Sequence, residues 1–336
     1  MSTSLSANTL SSVAICIPTY NQADFLEKAV RSALAQTHPC EVWVSDDAST
    51  DETPGVMDRL CREFPAIHYT RQRENLGIKG NPTWVMKQPA TEFIGRLDSD
   101  DELHPEFVAA LLRSLRHFPQ AGYAHAAVQE IDATGRKRNL RQLARHTGFQ
   151  SGEESLRASI SGYRVAANIC LFRRAALQQV DYYRSGLNFA EDWDLAIRLA
   201  DAGWGNEYVN EVLANYRVWD TPARSRRKQT EIEGIRWVME NSLLPAFARR
   251  DWTPAPILQA RCQLALRQAD CLKSDSLTET ERGDLQQALC RLGNSSALQW
   301  KFRWIRTPFA PLIQLPTTLK ARTKDLVKRA LFEKTR

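Results

Sequence analysis

The sequence predicts an α/β fold, a mostly parallel sheet sandwiched by helices and followed by a helical C-terminal extension. Three observations predict it. Short β-rich runs alternate with helical stretches over the first 130 residues, the pattern of a sheet covered on both faces. Three polar segments, Pro18 to Ala23, Asp46 to Glu52 and Asp98 to Glu102, each follow a strand directly and should gather at the carboxyl edge, where such sheets bind ligands. Beyond Ser225 the pattern turns helical.

The elements follow in order. Val13 to Ile17 is an unbroken apolar strand, and Phe25, Leu26, Ala29, Val30, Ala33 and Leu34 then repeat at helical spacing, with Asp24 as the expected N-cap. Val42 to Ser45 is the second strand, and Thr53-Pro54 opens the second helix, proline suiting the first helical position. Ile67 to Thr70 and Thr91 to Leu97 read as strands, and Pro105 opens a helix to about Phe118. A hairpin is expected near Thr134-Gly135, a strand near Asn168 to Phe172, and a helix from about Asp192 to Ala202 closed by Gly203. Helices are expected over Glu231 to Arg250, over Pro254 to Lys273, and from the capping box Thr278-x-x-Glu281 to Leu292. Three regions result: 1–225, the α/β body; 226–299, helical; and 300–336, a basic amphipathic tail.

Composition narrows the class. With 336 residues, 43% hydrophobic and 25% charged, the chain has material for a large core. Its seven cysteines are scattered and form no Cys-x-x-Cys pair, which suggests neither a disulfide framework nor zinc and fits a reducing cytoplasm. No apolar run approaches the roughly 20 residues that span a bilayer, and the first residues lack the features of a signal peptide. The expectation is a cytoplasmic protein. Of the net charge of +6, residues 300–336 carry +8 and residues 1–299 carry −2. That near-neutral body argues against nucleic acid as a partner, and the tail suits an anionic surface.

Asp98-Ser99-Asp100-Asp101 packs like charges that repel unless a cation compensates them, and oxygen ligands favour Mg²⁺ or Mn²⁺. The same tetrad also reads as a solvated turn and helix cap. Asp46-Asp-Ala-Ser-Thr-Asp51 is equally two-sided: a turn, or a carboxylate placed to meet the edge of a nucleobase.

The order of segments distinguishes these readings. Pro18-Thr19-Tyr20-Asn21 after the first strand, the aspartate pair after the second, Asn75-Leu-Gly77 after the third, the tetrad, and downstream Glu191-Asp192-Trp193-Asp194 together resemble glycosyltransferase family 2 over about residues 12 to 220. The resemblance implies a GT-A, Rossmann-like nucleotide-sugar domain over 1–225 that inverts the anomeric centre of the transferred sugar. It implies that Pro18, Thr19, Tyr20, Asn21, Asp47, Asn75, Gly77, Lys79, Asn81, Asp98 and Ser99 line the donor, with Tyr20 stacking on the base and Asp47 hydrogen-bonding it. Asp98 and Asp100 would meet the ribose and a divalent Mn²⁺ or Mg²⁺, with Asp101 a second candidate for the metal. Lys79 would face the diphosphate as a point cation. Asp192 is the expected base, with helix N-cap as its plain alternative. Glu191, Trp193 and Asp194 would face the acceptor, Trp193 stacking on a sugar or filling the core. Arg217, in Tyr216-Arg217 on a late strand, would neutralise the diphosphate or serve as an ion-pair partner.

The expected reaction moves a sugar from a nucleoside-diphosphate sugar to an acceptor hydroxyl on a glycan or lipid-linked glycan, in bacterial cell-surface polysaccharide or lipopolysaccharide assembly. UDP is the expected nucleotide, with dTDP open. A sugar-phosphate nucleotidyltransferase would need a glycine-rich basic loop where Pro18 to Asn21 stands. A non-catalytic membrane-associated binding protein would have little reason to keep Asp47, Asp98, Asp100 and Asp192 together. Trp300-Lys-Phe-Arg-Trp-Ile-Arg306 interleaves aromatics with cations, so the tail either lies on the inner face of the inner membrane or packs on the body.

Overall fold

The computed structural model describes residues 12–163, 165, 169–184, 186, 187, 189–219 and 224–305. The chain divides into two compact units, Met1–Thr221 and Pro222–Arg336. The tail beyond Ile305 lies outside the described residues.

The first unit opens with β1 (Val13–Thr19), α1 (Ala23–Leu34), β2 (Glu41–Asp46), α2 (Thr53–Glu63), β3 (His68–Arg71), α3 (Gly77–Lys87) and β4 (Phe93–Arg96). β5 (Glu102–Leu103), α4 (Phe107–His117), β6 (Ala121–Ile131), β7 (Lys137–Arg141), β8 (Gly148–Gln150) and α5 (Gly152–Ser159) follow. It ends with β9 (Cys170–Arg173), α6 (Arg174–Gln179), α7 (Glu191–Asp201) and β10 (Gly205–Arg217). The sheet runs β3-β2-β1-β4-β9-β6-β10-β5. The first four strands are parallel, with Thr19 opposite Asp46 and Asp46 opposite Arg71, so their carboxyl ends share one edge. Antiparallel β9 then enters between β4 and β6, and β6 pairs β10 in parallel.

Because β1 feeds β2 on one side and pairs β4 on the other, the order reverses beside β1, which is where a crevice opens in sheets of this kind. The strand side chains that alternate between faces are covered twice. Ile15, Ile17, Val42 and Val44 pack with Leu26, Val30, Met57, Leu60, Leu111 and Leu115 of α1, α2 and α4. Ala14, Cys16, Ile94, Tyr123 and Phe172 pack with Val85, Leu177, Leu195 and Leu199 of α3, α6 and α7.

Local chemistry sets the turns. The expected hairpin joins β6 to β7 in antiparallel pairing, and Asp132 Oδ1 accepts the amides of Thr134 and Arg136 while Gly135 takes a φ of 85°. Asp24 lies in the first turn of α1 rather than at its cap. The α1 start is held instead by Asp51, whose carboxylate accepts Ala23 N at 3.1 Å and Thr53 N at 3.0 Å and so fastens α1 and α2 together. Helix α3 was not expected from the sequence; its first six residues contain Gly77, Gly80 and Pro82, all poor helix formers. The second unit contains α8 (Arg224–Val238), a π-helical turn Met239–Leu243, α9 (Leu244–Ala248), α10 (Ala255–Gln268), a 3₁₀ turn Ala269–Lys273, α11 (Glu279–Gly293) and α12 (Ser296–Trp304). The Thr278 capping box forms as expected.

Candidate active site

The loops after β1 to β4 converge, and most of their polar groups first hold one another. Asn21, at a φ of 52°, donates its amide to Ser49 Oγ at 2.9 Å and accepts Thr50 N on its side-chain oxygen at 2.8 Å. Asn81 bridges three elements from inside α3, meeting Ser45 Oγ at 2.5 Å and donating to the carbonyls of Ser45 and Thr19. Its role in the structure is to lock α3 onto β1 and β2. Pro18 lies in β1 opposite Ser45. Thr19 is buried, and its Oγ1 has no partner among the described residues. Tyr20, one residue on, is 48% exposed at the rim, with its ring available for stacking.

Asp47 is buried, and its carboxylate accepts the amides of Leu76 at 2.6 Å and Gly77 at 2.9 Å, while its carbonyl accepts Asn75 Nδ2. Gly77 takes a φ of 80° there, a conformation that needs glycine. Burial raises the Asp47 carboxyl above its ordinary range, opposed by those two amides. Asp47 therefore ties the β2 loop to the start of α3. Lys79, also buried, stands two residues further along. Burial lowers its ammonium, and the nearby Glu191 carboxylate at the start of α7 opposes that loss of charge.

The four residues of the acidic tetrad point in different directions. Asp98 is clamped by Arg96, whose Nε lies 3.0 Å from Oδ1 and whose second nitrogen lies 3.4 Å from Oδ2. Ser99 is buried in the turn that Asp101 N closes onto the Asp98 carbonyl. Asp100 accepts the Trp219 indole N–H at 2.8 Å, and its carboxyl is raised by burial and by Asp98. Asp101 turns into the interior, accepting Arg217 N at 2.7 Å, with Oδ2 buried and unpartnered among the described residues. Burial, then Asp98 and Asp100, push it well above the carboxylate range. In that orientation Asp101 braces the end of β10.

Arg217 is also a brace. Its side chain is 1% exposed. Its donors go to the carbonyls of Asp100, Asp132 and Ala133 and to Glu102, and its guanidinium lies 4.8 Å from the Phe25 ring centre. Of the two expectations for Arg217, this is the arrangement of an ion-pair partner. Two residues expected toward the acceptor side are also turned inward. Trp193 is buried in the core with no partner on its indole nitrogen among the described residues. Asp194 is buried under Arg198, 2.7 Å away, which in turn donates to the carbonyls of Val180 and Tyr182. Successive helical residues diverge by about 100°, so Glu191 and Asp192 reach the crevice while the next two turn inward.

Asp192 stands in the first turn of α7, behind Ala190 at a φ of 66°. Its Oδ1 takes two bonds, from an Arg96 terminal nitrogen at 2.8 Å and from Tyr183 Oη at 2.9 Å. Burial raises its carboxyl to about 6; Arg96 and the Tyr183 bond oppose the rise, and Glu191 and Asp98 add to it. A carboxylate with that value is poised to take a proton near neutral pH. Arg96 and Tyr183, which join Asp98 to Asp192, were missed from the sequence. The available signal was an arginine inside the otherwise apolar run Phe93-Ile-Gly-Arg-Leu97, because a buried guanidinium requires carboxylate partners.

As for a divalent ion, the donor set is oxygen-only, and the raised carboxyl of Asp100 is one that a cation would relieve. Among the described residues no three His, Cys, Asp or Glu side chains form a metal-holding group. Asp100 is the carboxylate of the tetrad that would hold such an ion.

A mixed sheet with a crevice at its reversal point and acidic loops around it defines a GT-A glycosyltransferase fold. S. aureus TarS 1–349 in complex with UDP superposes with a TM-score of 0.62 over 92% of this chain and 91% of that one, at 17% identity. The mannosyltransferase PcManGT of Pyrobaculum calidifontis in complex with GDP-Man and Mn²⁺ gives 0.56 over 95% and 88%, at 18% identity. The family model Glycosyl transferase family 2 matches residues 14–181, and the chain belongs to that family of glycosyltransferases. Among relatives, Escherichia coli chondroitin synthase is 27% identical over 204 residues, 60% of this chain and 28% of that protein. Succinoglycan biosynthesis protein ExoU of Rhizobium meliloti is 30% identical over 198 residues, 55% and 56%. A Campylobacter jejuni GalNAc(5)-diNAcBac-PP-undecaprenol beta-1,3-glucosyltransferase is 35% identical over 115 residues, 34% and 36%. The chain thus spans under a third of the chondroitin synthase.

Proposed function

We propose that this glycosyltransferase moves a sugar from a nucleoside-diphosphate donor, UDP first among nucleotides, to an acceptor hydroxyl with inversion, in bacterial polysaccharide assembly. The observation that carries the reading is the meeting of Asp98 and Asp192 on one guanidinium at the edge where β1 to β4 end. It supports the reading because Asp98, the proposed donor-side carboxylate, then lies beside a carboxylate suited to act as a base.

Tyr20 would stack on the base, and Asp47 would accept its imide N–H on a remaining lone pair. Asp98 would hold the ribose, and Lys79 would stand against the diphosphate. Asp192 takes the acceptor hydroxyl's proton as that oxygen bonds to the anomeric carbon. The bond from that carbon to the phosphate oxygen breaks, and its electron pair leaves with the nucleoside diphosphate. One base and one direct displacement invert the centre, the one-step logic of inverting glycosidases. A divalent cation held by Asp100 would supply Lewis-acid stabilisation of the departing charge.

The names of the relatives support the setting: one is a chondroitin synthase, one acts in succinoglycan biosynthesis, and one is named for an undecaprenol diphosphate substrate. A lipid-linked acceptor at the inner face of the inner membrane would suit α12. Trp300, Arg303 and Trp304 are exposed on it at positions i, i+3 and i+4, one face of a helix, and the sequence beyond is basic. No helix among the described residues is long and apolar enough to cross a membrane.

The test is a thermal-shift and turnover screen of nucleotide sugars with and without Mn²⁺, reading release of free nucleoside diphosphate. Stabilisation and turnover with one UDP-sugar, dependent on metal and lost in Asp100→Ala, is the expected result. Turnover that is indifferent to metal and to Asp100→Ala would sink the metal-dependent reading.

A further inference from the structure

We infer that Arg96, together with Tyr183, is the positioning device of the transfer: it holds Asp192 by one oxygen, turns the other toward the acceptor, and links the base to the donor side through Asp98. The inference rests on the assignment of Asp192 as the base.

The argument begins with burial. The Arg96 side chain is 6% exposed, and a guanidinium removed from water is costly unless its donors find charged partners. Burial would strip its proton, but Asp98, Tyr183 and Asp192 outweigh that and keep it a cation. Three of its nitrogens divide the work. Nε and one terminal nitrogen fork onto the two oxygens of Asp98, and the other terminal nitrogen reaches both Tyr183 Oη and Asp192 Oδ1 at 2.8 Å. The guanidinium also lies 5.1 Å from the Tyr183 ring centre, so the ring fixes its plane.

The consequence for Asp192 is asymmetry. Tyr183 Oη accepts from Arg96 and donates to Oδ1, closing a three-membered ring of hydrogen bonds on that one oxygen. Both hydrogen bonds of the Asp192 carboxylate among the described residues end on Oδ1, and the side chain is 20% exposed. A carboxylate pinned by one oxygen presents the other at a fixed angle, which is what a near-attack geometry requires. The same guanidinium holds Asp98. Whatever pulls on Asp98 when the donor binds is therefore transmitted to the base through one rigid planar group. Among the described residues, Glu191 on its own helix, Asp98 after β4, Tyr183, Tyr163, and Cys170 at the start of β9 also bear on Asp192.

The experiment uses the full chain with its best UDP-sugar and acceptor, comparing Arg96→Lys, Arg96→Gln, Tyr183→Phe and Asp192→Asn by kcat, donor KM and the pH profile of kcat/KM. Tyr183→Phe should lower kcat about tenfold, the worth of one bond to a charged group, with donor KM unchanged and the acid limb moved upward, since a bond favouring the carboxylate is lost. Arg96→Gln should also raise donor KM, through Asp98, and move the acid limb up by about one unit, a tenfold change in the ionisation constant. Arg96→Lys keeps the charge and should restore the limb without restoring kcat. A merely structural role would lower the folded fraction and leave the limb in place. If Arg96→Gln does not fold, Tyr183→Phe decides alone. Wild-type kcat and limb in Tyr183→Phe and Arg96→Gln, with Asp192→Asn inactive, would overturn the positioning role. Normal turnover in Asp192→Asn would overturn the base assignment beneath it.

Discussion

Arg217→Met separates a brace from a phosphate ligand. Methionine keeps most of the stem's volume and removes every donor. Three carbonyls, of Asp100, Asp132 and Ala133, and the Glu102 carboxylate then lose their partner. Because the side chain is 1% exposed, water does not readily replace it. Removing one partner of a buried charged network costs about 3–5 kcal/mol, and the contact with Phe25 adds a fraction of that. For a unit of this size each kcal/mol lowers the melting temperature by roughly 2–4 °C. The expected loss is about 10 °C by calorimetry. UDP affinity, measured well below the lowered Tm, should change less than about threefold, under 0.7 kcal/mol. A melting temperature within about 2 °C of wild type, with UDP binding weakened tenfold or more, would refute the reasoning and return Arg217 to the diphosphate.

Three further outcomes are expected. With the Asp192 carboxyl at about 6 and its ionised form required, kcat/KM should fall about tenfold per unit as pH drops below that value and be flat above it until another group intervenes; a flat profile from pH 5 to 8 would exclude Asp192 as base. His125 is fully buried, and burial and then Arg145 depress its imidazole to about 3 from an ordinary 6.5. The unfolded chain therefore binds the extra proton between those values, and stability is lost as pH falls below 6.5. The loss reaches about 2 kcal/mol at pH 5, and His125→Leu should flatten that slope in urea titrations. Gly293 closes α11 against α10, where an added Cβ would lie 2.5 Å from the Arg261 backbone. Gly293→Ala should cost about 1–3 kcal/mol by overpacking, read as a lower unfolding midpoint.

Much of the first unit was legible in the sequence because its signals are local. Val13 to Ile17 reads as an unbroken apolar strand, and polar segments placed directly after such strands are expected to meet at one edge. Asp192 was legible as a first-turn residue followed by a helical apolar pattern. What escaped was long-range. The partner of Arg96 lies 96 residues away in sequence, and nothing local distinguishes an arginine that clamps two carboxylates from one that decorates a strand end. For Arg217 and Asp101 residue type left a structural and a ligand role both open, and only the contacts between the turn after β4 and the end of β10 show the two side chains directed inward, Asp101 onto the Arg217 amide and Arg217 onto the Asp100 carbonyl. For Trp193 the sequence left a sugar-stacking and a core role both open, and the structure shows the core role. Helical geometry separates neighbours that sequence joins. Helix α3 escaped because Asp47, which accepts the Gly77 amide, and Ser45, which bonds Asn81 of the helix, stabilise it from outside, against its own weak propensity.

The place of β9 has a further consequence during synthesis. β4 ends at Arg96 and its neighbour β9 begins at Cys170. At 5–20 residues per second the ribosome takes roughly 4–15 s to deliver the strand between them. Throughout that interval the outer edge of β4, next to the acidic loop, is an open template for any other extended chain. Arg96 at that edge is then a charge without its distant partner, and a charged edge residue resists mispairing. The nascent chain would be guarded by the same guanidinium that later orients the finished site.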